Sequence, residues 1–176
     1  DKSRSRGLGD VYKRQPMYGS GPDINSTGSG YLSKIDFIEI LQYADHRNIK
    51  IIPQISYPSH MRSAIISMDV RYQKYMELGN QEEAEKYLLS DPDDESEYYS
   101  AQGFDDNIAC ICRESAFTFY EKVIDEIYIM YQEAGVELNK FSVAADELPY
   151  GAWQRSPICD QFMHCLLYTS DAADDG

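Results

Sequence analysis

Apolar positions in this chain recur at helical spacing in three long stretches, separated by short runs of β-branched and aromatic residues. Phe37, Ile40, Leu41 and Ala44 share one face of a first helix. Ser33 is placed to cap it, Asp36 three residues on completes a capping box, and Asn48 closes the element. Ile49-Lys50-Ile51-Ile52-Pro53-Gln54-Ile55 predicts a strand, with Pro53 marking its end. Ser56-Tyr57-Pro58-Ser59-His60 predicts a turn after it. A second helix is expected over 61–78 and is stopped by Gly79, and Asn80 caps a short helix over 81–89. The clearest helix covers 114–133. Tyr120, Val123, Ile124, Ile127 and Tyr131 form its apolar face, and Gly135 ends it. Phe141-Ser142-Val143-Ala144-Ala145 then predicts a short buried strand that runs into Asp146 and Glu147 and is stopped by Pro149.

The order strand, helix, helix, strand, without hairpin signals between, predicts parallel α/β units. Two stretches lack periodicity. Residues 16–30 are rich in Gly, Ser and Pro and predict a loop. Residues 90–112, with Asp91-Pro92-Asp93-Asp94-Glu95-Ser96, predict an irregular, solvated acidic loop.

At 176 residues and 43% hydrophobic content, the chain suffices for one ordinary domain with a core. A net charge of −14 and the lack of a basic patch argue against nucleic acid as a partner. No apolar run reaches membrane-spanning length. Glycine-rich phosphate loops and serine-centred nucleophile elbows are absent.

The two ends read as foreign to the rest. Residues 1–15 are basic and without pattern, and 165–176 are equally without pattern. Asp10 to Gln15 can be encoded GAT GTG TAT AAG AGA CAG, and Cys165 to Ser170 can be encoded TGT CTC TTA TAC ACA TCT. The second string is the reverse complement of most of the first, and both resemble translated adapter sequence from transposon-made DNA libraries. The expectation is that 1–15 and 165–176 are disordered additions, and that 16–164 is part of a catalytic barrel. The ends carry +3 and −3, so 16–164 keeps the whole charge of −14. Cys110, Cys112 and Cys159 then remain. A Cys-x-Cys with one distant partner is a poor zinc or disulfide framework, so buried free thiols are expected.

The candidate chemistry lies where the two strands end, with His60 after the first and the acid pair after the second. Adjacent carboxylates disfavour each other's ionisation, so one can stay protonated while its neighbour stays charged. The pair suits acid chemistry on a polar bond, or alternatively a helix N-terminus. His46, on a polar helix end, suits a structural role, and no second histidine stands at metal-ligand spacing from His60.

Four blocks then resemble glycoside hydrolase family 20, the β-N-acetylhexosaminidases, and within it the chitobiase-like members. Ile52-Pro53-Gln54-Ile55-Ser56-Tyr57-Pro58-Ser59-His60-Met61-Arg62-Ser63-Ala64-Ile65 is similar to the family's strand-three motif, usually Pro-Glu-Ile-Asp-x-Pro-Gly-His. Ser90-Asp91-Pro92 with Ser96, and Asp105-Asp106-Asn107 leading to the Glu114 helix, match the family's next two segments. Val143-Ala144-Ala145-Asp146-Glu147 is similar to the Gly-Gly-Asp-Glu signature, and Gly151-Ala152-Trp153 with Ser156-Pro157 matches the segment after that signature.

The resemblance implies a (β/α)₈ TIM barrel, represented here by about strands 3 to 4 with their helices. It implies retaining, substrate-assisted hydrolysis of terminal N-acetyl-hexosamine residues, without metal or cofactor. Glu147 would be the general acid and then the base, Asp146 would orient the substrate's acetamido group, and His60 would help set the proton affinity of the acid. Trp153 would be a rim contact for the aglycone sugar. The partners implied are N-acetylglucosamine- or N-acetylgalactosamine-terminated glycans, and the compartment is periplasmic or secreted.

The chain departs from the pattern at Gln54 (usually Glu), Ser56 (usually Asp), Ser59 (usually Gly or Ala), and Ala144 and Ala145 (usually Gly). Ser56 removes a possible charged partner for His60. The family's substrate-binding arginine and its pocket tryptophans and tyrosine come from strands outside this stretch. The polypeptide alone is therefore expected to be unstable and inactive, with an open sheet edge. Two other readings compete. One is a catalytically impaired, amino-sugar-binding member of the same fold. The other is an unrelated α/β domain with a structural acid pair, a reading that Asp146 and His60 at opposite ends of the sheet would favour.

Overall fold

The computed structural model describes the backbone of residues 6–8, 11–13 and 32–171, and the side chains of 32–164. The loop expected over 16–30 lies outside the described residues. The opening stretch carries an antiparallel pair, β1 (Arg6–Leu8) and β2 (Val11–Lys13), in the register Arg6–Lys13, Gly7–Tyr12 and Leu8–Val11. Beyond it the elements are α1 (Lys34–Asp45), β3 (Gln54–Ser56), α2 (Arg62–Glu77), α3 (Gln81–Glu85), α4 (Glu114–Ala134), β4 (Ser142–Ala144) and α5 (Pro157–Asp171). No described helix is long and apolar enough to cross a membrane. The chain divides into two compact units, Asp1–Ile55 with Tyr120–Ala144, and Ser56–Phe119 with Ala145–Gly176.

In the first unit α1 starts at the expected box. The Asp36 N–H donates to Ser33 Oγ at 3.1 Å, and the Ser33 N–H donates to Asp36 Oδ2 at 2.8 Å. Two orphan donors at the helix start are thereby satisfied. The helix ends one turn before Asn48, which sits in the left-handed region at φ 56°. This lets the Ile49 N–H reach back to the Ala44 carbonyl at 3.0 Å. Leu41 and Ala44 are buried, and Phe37 meets the edge of Tyr131 at 6.1 Å between ring centroids.

Pro53 stands just ahead of the three-residue β3, where it was expected to end the strand. Proline has no N–H to donate, but its carbonyl accepts the Ser142 N–H at 2.9 Å, and β3 follows it directly. The two tyrosines of the α4 face do more than fill space. Tyr131 Oη donates to the Ile51 carbonyl at 2.9 Å, and Tyr120 Oη donates to the Ile55 carbonyl at 3.1 Å. An aromatic body with a polar tip can pack on the strand and satisfy its carbonyls together. β4 pairs with β3 but is not the buried strand expected, since Val143 is 51% exposed. With two strands in the described sheet, each has an uncovered side.

In the second unit Met61, Ile65, Leu89, Ala109 and Ala116 form a core, with Tyr57, Ala64, Met68 and Phe119 packed on it. α3 stops at Glu85, short of the expected 81–89, because the next turn is drawn into that core. Leu88 and Leu89 are buried, and their carbonyls accept Ser115 Oγ at 2.6 Å and the Cys110 N–H at 2.7 Å. Chain carbonyls that find partners elsewhere have no need of a helical one.

The stretch over 90–112 is irregular, and its acidic run is solvated as expected over 92–97, with Glu95 75% and Glu97 93% exposed, but other parts of it are buried. Asp91, Ser100, Asn107, Ile108, Ala109 and Cys110 are all buried. Asp91 Oδ2 accepts from Ser156 Oγ at 2.6 Å, and Tyr98 Oη accepts the Ile108 N–H at 3.1 Å. Side chains thus replace the ladder that regular structure would supply. The expectation of free thiols is also corrected. Cys112 and Cys159 form a disulfide, with the two Cα atoms 5.1 Å apart, and Cys110 is the free, buried thiol. Residues 47 apart in sequence cannot be paired from spacing alone; packing of the first turn of α5 beside residues 110–112 brings them together.

Candidate active site

The site lies in the second unit and is built on two loops. The first loop follows β3 and contains a cis Tyr57–Pro58 bond. It is clamped from one segment. The Ala109 N–H donates to the Pro58 carbonyl at 2.9 Å, and the Met61 N–H donates to the Asn107 carbonyl at 3.0 Å. Arg62, in the first turn of α2 and 4% exposed, fixes that segment in turn. Its Nε donates to Asp106 Oδ1 at 2.5 Å and its guanidinium lies 4.9 Å from the Phe104 ring centre. Between the two clamped residues stands His60, with φ 58°. A non-glycine residue in this region is uncommon and is a pointer to function when its surroundings hold it there.

The second loop follows β4 directly. Glu147 is also left-handed, at φ 56°. Ser59, 1% exposed, ties the loops together through Oγ, which donates to the Asp146 main-chain carbonyl at 2.6 Å. The three predicted residues come together as a result. His60 Nε2 lies 3.5 Å from Glu147 Oε2 and 3.9 Å from Asp146 Oδ1. This excludes the reading that put Asp146 and His60 at opposite ends of a sheet. The carboxylates facing His60 Nε2 are those of the acid pair itself. The side chains of His60, Asp146 and Glu147 are 30%, 66% and 44% exposed, open enough for a substrate to reach. An imidazole beside two carboxylates can hold or accept a proton at Nε2 while one carboxyl exchanges a proton with a bound molecule.

Two participants were not legible in the sequence. The Gln102 side-chain amide donates to Glu147 Oε2, from a loop with no motif to announce it. Ser59 stood out only as a departure from the family pattern. Trp153 is partly buried with φ 61°, and its Nε1 donates to the Ala109 carbonyl at 3.0 Å. It therefore braces the same 107–109 segment that clamps the histidine loop. Gly151 nearby is required by its surroundings. Its φ is 101°, and a Cβ there would meet the Glu97 carbonyl oxygen at 2.5 Å. Among the described residues, the group with metal-ligand spacing is Cys110, Cys112 and Cys159, two of which form the disulfide.

Residues 9–172 match the model of "Glycosyl hydrolase family 20, catalytic domain". The chain is 46% identical over 144 residues to a beta-hexosaminidase of Vibrio vulnificus, covering 82% of this chain and 17% of that protein. It is 44% identical over 137 residues to the N,N'-diacetylchitobiase of Vibrio harveyi, covering 75% of this chain and 15% of that one. The crystal structure of a family 20 exo beta-N-acetylglucosaminidase from Vibrio harveyi, in complex with N-acetylglucosamine, superposes with a TM-score of 0.61 at 28% identity, covering 78% of this chain and 18% of the other. The chain thus spans less than a fifth of the length of these relatives. The catalytic domain of the family is a TIM barrel. Family model and relatives together establish that the chain belongs to glycosyl hydrolase family 20.

Proposed function

We propose that the full-length parent of this chain is a β-N-acetylhexosaminidase that removes terminal N-acetyl-hexosamine residues from glycans, and that residues 16–164 carry about strands 3 to 4 of its barrel. The observation that carries this reading is the approach of His60 Nε2 to both Glu147, at 3.5 Å, and Asp146, at 3.9 Å. Glu147 donates its proton to the glycosidic oxygen as the bond breaks, and then takes a proton from the water that completes hydrolysis. Asp146 holds the substrate's acetamido group, whose oxygen is the nucleophile, and stabilises the positive charge that develops on it. His60 positions Glu147 and shares its proton traffic. Gln102 fixes the direction of the Glu147 carboxyl through its amide. Trp153 serves the aglycone side of the site, with its indole N–H anchored on Ala109. The Cys112–Cys159 disulfide supports a periplasmic or secreted location, since such bonds persist in oxidising compartments.

The test is release of chromophore from an aryl N-acetylglucosaminide and its galactosamine counterpart by the full-length parent. Turnover that is lost in Glu147→Gln supports the enzyme. Binding of amino-sugar glycans with no turnover by the parent itself would overturn it in favour of a non-catalytic member of the family.

A further inference from the structure

The described cysteines outside the acid site are gathered in one place. Cys112 and Cys159 are joined, and Cys110 Sγ lies 3.8 Å from Cys159 Sγ, in van der Waals contact. All three sulfurs lie within 4.8 Å of one another. We propose that Cys110, Cys112 and Cys159 form a thiol–disulfide exchange site, in which a single disulfide alternates between the pairings Cys112–Cys159 and Cys110–Cys159.

The step balances internally. The Cys110 sulfur attacks Cys159 Sγ, the Cys110–Cys159 bond forms and the Cys112–Cys159 bond breaks. Cys112 leaves as a thiolate and takes up the proton that Cys110 gave up. No external oxidant or reductant is consumed. Cys110 is 2% exposed and Cys159 6%, so small thiols in solution reach Cys159 poorly while the Cys110 sulfur is already in contact with it. In-line attack requires the Cys110 side chain to turn, since with all three sulfurs within 4.8 Å of one another its sulfur stands off the axis of the Cys112–Cys159 bond.

Chain entropy does not choose between the pairings. They close loops of 47 and 49 residues, and the closure term grows only with the logarithm of loop length. Cys110 and Cys159 are both anchored in the local packing. The Cys110 N–H is held by the Leu89 carbonyl at 2.7 Å. The first turn of α5 is held by Ser156, whose Oγ donates to Asp91 at 2.6 Å and accepts the Cys159 N–H at 3.2 Å. Burial pushes the Cys110 thiol up, which lowers its thiolate fraction and makes the exchange slow.

The experiment maps the linkage in the full-length parent after equilibration in a glutathione buffer, acid quenching, alkylation with N-ethylmaleimide and tandem mass spectrometry of the peptides. Both linkages are expected, each in at least roughly a tenth of the molecules, because the loop terms are nearly equal. Cys112→Ser is expected to form Cys110–Cys159, and Cys110→Ser to form Cys112–Cys159. Cys110 and Cys159 remaining alkylated in Cys112→Ser, in the buffer that closes the disulfide of Cys110→Ser, would overturn the proposal. Should Cys112→Ser not fold, the unsubstituted protein decides the matter: Cys112–Cys159 as its sole linkage overturns the proposal equally.

Discussion

The hydroxyl of Ser59 donates a 2.6 Å hydrogen bond to the main-chain carbonyl of Asp146, joining the loop that carries His60 to the loop that carries the acid pair. In this chain the residue is 1% exposed, so Ser59→Ala leaves a carbonyl short of its partner. The expected cost is about 1 kcal/mol, or roughly fivefold in kcat/KM of the parent, with turnover retained. Steady-state kinetics checks it. An unchanged kcat/KM would mean that the two loops are held in register by other contacts.

Gln102 is a positioning residue for Glu147. Gln102→Ala is expected to lower kcat by about two- to tenfold, since a hydrogen bond to a carboxyl group in a half-exposed site contributes on the order of 1 kcal/mol. Gln102→Glu replaces the donating amide with an acceptor and is expected to lower it further. Equal kcat in both variants, with the thermal midpoint unchanged, would remove Gln102 from the site.

Much of this was legible in the sequence, for local reasons. The Ser33–Asp36 box, the Gly79 and Gly135 stops and the α4 face each depend on residues within a turn or two of one another. The acid pair and His60 carried a family pattern. The features that sequence did not show depend on contacts distant in the chain. The acidic run at 91–96 reads as solvated throughout, which holds for Asp93 and Glu95 but not for Asp91, buried on the Ser156 hydroxyl. The carboxyl end of α3 is lost to the Cys110 and Ser115 hydrogen bonds. Pro53 reads as a strand end because its missing N–H is visible in sequence and its carbonyl partner, Ser142, is not. Val143 reads as buried because a barrel strand is expected to be covered, and the described sheet has two strands.

Gly151 lies in the turn after the acid pair, with no room for a side chain. Gly151→Ala is expected to destabilise the parent by about 1–3 kcal/mol, through overpacking against the Glu97 carbonyl and a φ that disfavours a Cβ. The thermal midpoint is the readout. A shift within error of zero would show that the 95–98 backbone gives way freely.

Glu126 is one carboxylate whose pairing makes the stability of the first unit depend on pH. Its carboxylate accepts from Lys122 at 2.6 Å and from Lys34, and these bonds and charges hold its pKa down to about 2. A depressed carboxylate contributes stability in full above its unfolded value of about 4.3, and loses it as pH falls toward the folded value. The thermal midpoints of the parent and of Glu126→Gln are therefore expected to differ at neutral pH and to converge as pH falls from about 5 toward 2. A gap that stays constant over that range would contradict the assignment.

The central claim is that Glu147 delivers a proton to the departing oxygen, with His60 and Asp146 beside it. A leaving group that needs no proton bypasses that role, and one that needs it does not. The most direct measurement compares Glu147→Ala with the unsubstituted parent on two substrates, a dinitrophenyl N-acetylglucosaminide and an N-acetylglucosamine disaccharide. The predicted result is a loss of roughly a hundredfold or more on the disaccharide and a much smaller loss on the dinitrophenyl substrate. An equal loss on both would contradict the claim and leave Glu147 without the role of general acid.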